Sequence, residues 1–139
     1  MSAFICHPDH ISNLAHALAA FDVSPMGADR LAEILANANA ASVGVRYRMT
    51  PDEAVQDFFG VPLDEYIELC QKAPRAYRLG VVDLLKMAQC FDYQACEIDD
   101  YDDTQAAALM SRLRSACIAR LPGYDAAPWE FINTEATDR

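Results

Sequence analysis

The sequence is poor in basic residues, glycine and proline, and each shortage excludes a class of protein. Only 11 of its 139 residues are Lys or Arg, against 21 Asp or Glu, which gives a formal net charge of −10. This charge argues against a basic nucleic-acid-binding domain and against a polybasic membrane anchor. With 5 Gly and 7 Pro beside 53% hydrophobic residues, the chain is not collagen-like, disordered or of low complexity.

Long hydrophobic runs are also missing. No run approaches the roughly 20 apolar residues that a membrane-spanning helix needs. The opening residues, Met1–Pro8, have no basic segment before an apolar one, so we expect no signal peptide and a cytoplasmic location. The length predicts a single domain over residues 1–139, in which residues 133–139 form a frayed tail.

Apolar residues recur at helical spacing along most of the chain. This periodicity predicts helices that begin near Pro8, Ser24–Pro25, Thr50, Pro62, residue 81 and Asp102 or Asp103. Thr50 with Glu53 three residues later is typical of a capping box. Residues 81–96 are apolar on more than one side, so we expect this helix to be the central one. We expect the second helix to fade near residues 39–42.

The spacing of apolar residues changes at residues 43–48. Val43, Val45 and Tyr47 alternate with Gly44, Arg46 and Arg48. Such alternation predicts a short strand, which would pair with residues 3–6 or 76–79. The predicted fold class is therefore mainly α: a compact bundle of about five or six helices with a small two- or three-stranded β element, an α+β arrangement also being possible.

The cysteines and histidines offer one alternative based on a metal. The five cysteines are an odd number, which favours free thiols, several of them buried: Cys6, Cys70, Cys90, Cys96 and Cys117. A zinc site from Cys6, His7, His10, Cys90 and Cys96 is the alternative. The spacing lacks Cys-x-x-Cys, so we expect surface histidines, no metal and no other cofactor.

Motifs of catalysis are missing as well. The sequence has no nucleophile elbow, no P-loop and no glycine-rich dinucleotide turn. All three histidines lie within the first 16 residues, so any histidine-based site would have to form there. We therefore expect no enzyme and assign no catalytic residue.

The sharpest local feature is an acidic run with five acids in seven residues: Glu97, Asp99, Asp100, Asp102 and Asp103, around Tyr101. A calcium loop of the EF-hand type is disfavoured, because the glycine of that pattern is missing. Two interpretations remain open. The run is a solvated loop that caps the last helix, or it imitates phosphate charges and occupies a basic groove of a partner. In the second interpretation these six residues bind the partner.

Three stretches of the chain resemble a known group of proteins: residues 1–6, residues 90–97 with the acids that follow, and residues 121–129. Together with the Ser42–Val43 and Arg46–Tyr47 pieces, they are similar to small, acidic, uncharacterised proteins of bacteriophages and integrative conjugative elements. Residues 49–75 are not part of this resemblance. It carries over no activity, cofactor or site residue, but it implies a mobile genetic element inside a bacterial host cell.

The mobile-element origin that the resemblance implies and the negative net charge together lead to one expected function and two alternatives. We expect a non-catalytic inhibitor of a host defence complex, a CRISPR effector or a restriction enzyme, that occludes its nucleic-acid-binding surface and binds no nucleic acid itself. One alternative is an accessory or structural protein of the element that uses an apolar face of residues 81–96. The other is a small metal-binding protein that uses Cys6, His7 and His10. Near the end, we expect Trp129 to pack a tail against the helices.

Overall fold

The computed structural model describes residues 5–21, 25–72, 80–95 and 104–120, and the regular structure in these ranges is α-helical. The helices are α1 (Pro8–Ala20), α2 (Ala28–Tyr47), α3 (Pro51–Phe59), α4 (Leu63–Gln71), α5 (Val81–Ala95) and α6 (Gln105–Ala119). Buried residues from all six form one core cluster. The prediction of a mainly helical bundle is therefore confirmed for this part of the chain.

The predicted strand at residues 43–48 is wrong, because this segment continues α2. Val43 is fully buried while Val45 is 58% exposed, whereas a strand would turn both to the same face. Val43 lies two helical turns after Leu35 and extends the buried stripe of α2. Packing of that stripe outweighs the weak β preference of valine and tyrosine. The described ranges contain no strand, and residues 3–4 and 76–79 lie outside them.

α2 ends in a tight turn that depends on Gly44. The Met49 N–H donates to the Gly44 carbonyl at 2.8 Å, and Arg48 adopts the left-handed conformation with φ of 58°. A Cβ on Gly44 would lie 2.7 Å from the Met49 carbonyl oxygen. The turn leads directly into α3, where the predicted capping box between Thr50 and Glu53 is confirmed.

α2, rather than α5, is the central helix, so the expectation for residues 81–96 is corrected. α2 packs against each of the other five helices, while α5 packs against α6, α2 and α1. The reason lies in small buried residues at four-residue intervals: Ala32, Ala36, Ala40 and Gly44. Such a ridge allows neighbouring helices to approach α2 closely.

Two side-chain contacts connect α6 to the rest of the bundle. Arg114 of α6 donates to the carboxylate of Asp92 on α5, and both side chains are about three-quarters buried. At the end of α6, the Arg120 guanidinium lies 3.9 Å above the ring of Phe21. The first contact joins α6 to α5, and the second places the end of α6 against the end of α1. Among the residues that the structure describes, no helix has the length and apolar character needed to cross a membrane.

Candidate interaction surface

The acidic run proposed for partner binding lies outside the described residues. Glu97, Asp99, Asp100, Tyr101, Asp102 and Asp103 belong to the connection between Ala95, the last residue of α5, and Thr104. Thr104 is the N-cap of α6, and its side chain accepts the Ala107 N–H. The predicted start of the last helix is thus confirmed, and the partner-binding role of the six residues stays a prediction.

A second acidic surface, which the sequence analysis missed, lies on α3 and α4. We call it the acidic hairpin, residues 51–71. It carries six exposed carboxylates: Asp52, Glu53, Asp57, Asp64, Glu65 and Glu68. No Lys or Arg occurs between Met49 and Gln71. The acids are spread over 17 residues, so a search for dense runs overlooks them. The sequence feature that would have revealed them is the absence of Lys and Arg from the surrounding segment.

One of these carboxylates connects the two helices, and another belongs to the N-terminal cap of α3. Asp52 accepts the Leu63 N–H at 2.9 Å and the Gln56 side-chain amide at 2.7 Å. Glu53 accepts the Thr50 N–H at 2.9 Å within the capping box. Asp52 thereby fixes the start of α4 relative to α3, since it satisfies an N–H of the first helical turn that has no helical partner.

Helix dipoles explain part of this acidic pattern. Asp52 and Glu53 lie in the first turn of α3, and Asp64 and Glu65 lie in the first turn of α4. Negative charge is favourable at a helix N-terminus, so these four residues also have a structural role. Asp57 and Glu68 lie beyond the first turns, and neither forms an ion pair with a described residue. These two carboxylates are therefore the part of the surface that helix stability does not explain.

The hairpin is fixed to the core by an aromatic pair. The ring of Phe59 on α3 lies 5.6 Å from the ring of the fully buried Tyr66 on α4, in an edge-to-face arrangement. Ala54 and Val55 of α3 and Cys70 of α4 are buried beneath the exposed acids. The hairpin thus presents its charges on a rigid support rather than on a loop.

The thiols and histidines of the zinc alternative do not form a metal site in the described ranges. No group of three or more His, Cys, Asp or Glu side chains there is arranged to hold a metal ion. His7 caps α1, its Nδ1 accepting the Asp9 N–H at 3.1 Å. His10 is half-buried, and its Nε2 lies 3.0 Å from the Met87 carbonyl oxygen. The expectation of surface histidines is thus confirmed for His7, while His10 is only partly exposed. Cys96 lies outside the described residues.

Three of the four described cysteines are buried free thiols, and Cys90 is exposed. Burial raises the pKa of Cys6 to about 12, and the nearby Cys90 and Cys70 add to the rise. Burial likewise raises the pKa of Cys70 to about 12, although a hydrogen bond with Tyr66 opposes the rise. Burial also raises the pKa of Cys117, to about 11. Since the thiolate is the nucleophile, these three side chains act as apolar core groups.

Large exposed apolar side chains are few in the described part of the chain. Tyr93 on α5 is 71% exposed and Val45 on α2 is 58% exposed. Tyr93 lies three residues after the exposed Cys90, on the same side of α5. Cys90 and Tyr93 are the exposed residues within positions 81–93 of α5, the helix that the accessory-protein alternative requires.

Comparison of the chain with protein-family models, with curated proteins and with solved structures finds no match to any of them. The geometry of the acidic hairpin is therefore the main structural guide to function.

Proposed function

We propose that this chain is a non-catalytic interaction protein of a phage or mobile element that inhibits a bacterial defence complex. It covers a basic, nucleic-acid-binding surface of a CRISPR effector or a restriction enzyme. The observation that carries the proposal is the acidic hairpin, with six exposed carboxylates and no basic residue between Met49 and Gln71.

Electrostatics supports this assignment. A groove that binds duplex DNA is adapted to about one negative charge per 1.7 Å of helix axis. A surface that carries several exposed carboxylates competes for such a groove, and its attraction accelerates association. The acidic run at Glu97–Asp103 adds a second concentration of negative charge, and the net charge of −10 adds long-range attraction.

Rigidity supports it as well. Asp52 links α3 to the start of α4, and Tyr66 anchors the hairpin in the core. Charges on a preorganised support lose less conformational entropy on binding than charges on a mobile loop. Asp57 and Glu68 are then available to a partner without loss of a helix-capping contact.

The first test is capture of a target followed by competition. Tagged protein is incubated with a bacterial lysate that contains defence complexes, washed at low and at high salt, and analysed by mass spectrometry. We expect one nucleic-acid-binding complex to be retained at low salt and lost at high salt, because salt screens exposed charges. With that complex purified, the protein should displace its nucleic acid in a filter-binding assay.

Charge-reversal variants decide which surface acts. Asp57→Lys with Glu68→Lys changes the hairpin, while lysines at Asp99, Asp100, Asp102 and Asp103 change the acidic run. The control is Glu33→Lys with Asp83→Lys, which matches the hairpin variant in charge but lies on α2 and α5. We expect one acidic set to abolish displacement and the control to retain it. Displacement that survives both acidic sets would overturn the proposal.

The exposed side chain of Tyr93 favours a second candidate, an accessory protein that acts through α5. This candidate requires a larger-than-monomer mass, or recovery of an element-encoded protein, and loss of that association in Tyr93→Glu. Sedimentation velocity of the wild-type chain and of Tyr93→Glu, at equal concentration, separates this second candidate from the first proposal, which needs no self-association.

A further inference from the structure

The outer side of α2 carries a short apolar row, which we call the outer stripe: Ile34, Ala38, Ala41 and Val45. Intervals of four, three and four residues keep these side chains within about 60° of one another around the helix axis. Val45 is 58% exposed, and the other three are half-buried. A surface helix ordinarily carries polar residues on its outer side, so the outer stripe is a surface on which another helix can pack.

The outer stripe is symmetric about its own centre. The β-branched residues Ile34 and Val45 stand at its two ends, and Ala38 and Ala41 stand four positions inside them. A two-fold axis between residues 39 and 40 places Ile34 against Val45 of a second copy, and Ala38 against its Ala41. Intervals of three and four residues are also the spacing with which two helices pack side by side. The central alanines allow the helix axes to approach closely.

We propose that α2 forms the contact between two copies of this chain, which pair antiparallel through the outer stripe in a symmetric dimer. A two-fold interface uses the same surface on both partners, so the surface must be complementary to itself. The arrangement of the outer stripe meets that requirement. This inference does not rest on the proposed function, because the outer stripe lies on α2 and not on the acidic hairpin.

The charges at the two ends of α2 favour the antiparallel direction. The start of the helix carries two acids and one base, Asp29, Glu33 and Arg30, and its end carries the exposed Arg46 and Arg48. Neither Arg46 nor Arg48 forms an ion pair with a described residue. Antiparallel pairing brings Glu33 of one copy towards Arg48 of the other, whereas parallel pairing brings the arginines of both copies together. A carboxylate can accept from two arginines, so the contact of Glu33 with Arg30 is retained.

The net charge of −10 sets how this association should respond to salt. Two copies repel each other at long range, and salt screens that repulsion. Salt does not weaken the apolar contacts between the two stripes. We therefore expect self-association to persist at high salt, where the acidic contact with a defence complex is lost. The two associations can thus be separated in one experiment.

Sedimentation velocity of the full chain between about 1 and 300 µM tests the proposal. We expect the mass to rise from that of one chain to that of two, at low and at high salt. Ala41→Glu places two carboxylates beside the two-fold axis and should raise the dissociation constant at least about tenfold, because like charges then face each other. The matched control is Ala108→Glu, at an exposed alanine of α6, which should leave the dissociation constant unchanged. Helical circular dichroism checks that both variants fold.

Two further measurements keep the test decisive if Ala41→Glu impairs folding. Arg48→Glu alone should weaken the dimer, and Glu33→Arg combined with Arg48→Glu should restore it, since the ends of α2 then carry exchanged charges. In a mixed sample of isotope-labelled and unlabelled wild-type chains, we expect an intermolecular NOE between the methyl groups of Ala38 and Ala41.

A wild-type chain that stays monomeric throughout the concentration series would overturn the proposal. So would a dimer that Ala41→Glu leaves intact, because the contact would then lie elsewhere, and loss of that dimer in Tyr93→Glu would assign it to α5. If the chain is monomeric and Ala41→Glu abolishes capture of a different protein, the outer stripe binds that protein and not a second copy.

Discussion

The hydroxyl of Tyr66 donates a 2.5 Å hydrogen bond to the backbone carbonyl of Cys6, sixty residues earlier in the chain. On the other side of the same residue, the Cys6 N–H donates to Oδ1 of Asn39 at 2.8 Å. All three residues are buried. Cys6 precedes α1, and side chains from α2 and α4 form hydrogen bonds with its backbone N–H and carbonyl. This junction ties the start of the chain to both helices.

Removal of the Tyr66 hydroxyl should destabilise the fold. Tyr66→Phe leaves the buried Cys6 carbonyl without its donor, and an unsatisfied buried polar group costs about 1–3 kcal/mol. Urea unfolding followed by circular dichroism measures the change in the free energy of unfolding. Tyr93→Phe is the control, since Tyr93 is 71% exposed, and should change it by less than about 0.5 kcal/mol. Equal stability of the two variants would contradict the role of this bond.

Gly44→Ala should destabilise the chain although Gly44 lies within a helix. At an ordinary helical site, alanine is more stable than glycine by about 0.5–1 kcal/mol. Here the new Cβ meets the Met49 carbonyl oxygen at 2.7 Å, so the turn must shift, at about 1–3 kcal/mol. Thermal and urea unfolding of Gly44→Ala and of the wild-type chain show directly whether the substitution raises or lowers the free energy of unfolding.

A variant at the other end of α2 serves as the control for Gly44. Gly27 is the N-cap, it makes no side-chain capping bond, and a Cβ there meets nothing within 4 Å. Gly27→Ser supplies a capping hydroxyl and should stabilise by a few tenths of a kcal/mol. A stabilising Gly44→Ala would show that the contact with Met49 relaxes freely.

The thiols should differ strongly in reactivity under native conditions. Cys90 is exposed, whereas Cys6, Cys70 and Cys117 are buried and burial raises the pKa of each. In a Cys96→Ser background, one thiol should react rapidly with Ellman's reagent and three should react only on unfolding. Cys90→Ser should remove the rapid phase and Cys70→Ser should retain it. A rapid phase that persists without Cys90 would place a second accessible thiol in the described core.

His10 should make stability depend on pH just below neutrality. Burial lowers the pKa of His10 below its ordinary 6.5, His7 lowers it further, and the hydrogen bond to Met87 acts in the opposite direction. The unfolded chain therefore binds the proton at a higher pH than the folded chain. The stability contributed by neutral His10 is complete above pH 6.5 and is lost as the pH falls through the lowered pKa.

His10→Gln tests this dependence while keeping a side-chain donor for the Met87 carbonyl. Urea unfolding between about pH 7.5 and 5, above the ordinary range of carboxyl titration, should give a smaller slope of stability against pH for the variant. Parallel slopes in the two chains would exclude His10 as the source. The folded pKa itself can be followed by NMR of the His10 ring protons.

Local signals in the sequence predicted most helices correctly. The cap at Thr50 and the start of the last helix near Asp102 or Asp103 depend on residues within one turn of each boundary, and the structure has a cap at Thr50 and a helix that begins at Gln105. The second helix is the exception: local signals favour a start near Ser24–Pro25 and an end near residues 39–42, whereas the helix spans Ala28–Tyr47 with Gly27 as its cap. Ser24 lies outside the described residues.

The two acidic regions also differ in whether they can be recognised from neighbouring residues in the sequence. The dense run at Glu97–Asp103 stands out in sequence, whereas the acids of the hairpin are divided between α3 and α4, which contact each other only in the tertiary structure. Asp52 shows this most clearly, because its contact with Leu63 joins residues of two helices. No local pattern distinguishes that carboxylate from one that is merely solvated.

The sequence by itself determined a negative charge of −10, helical periodicity and the caps of individual helices. These properties follow from composition and from contacts between residues a few positions apart. Only the tertiary structure decided that Val43 continues a helix, that α2 is central, and that Tyr66 and Asn39 satisfy the backbone of Cys6. Each of these depends on burial against residues distant in the chain, which outweighs local preferences of fractions of a kcal/mol per residue.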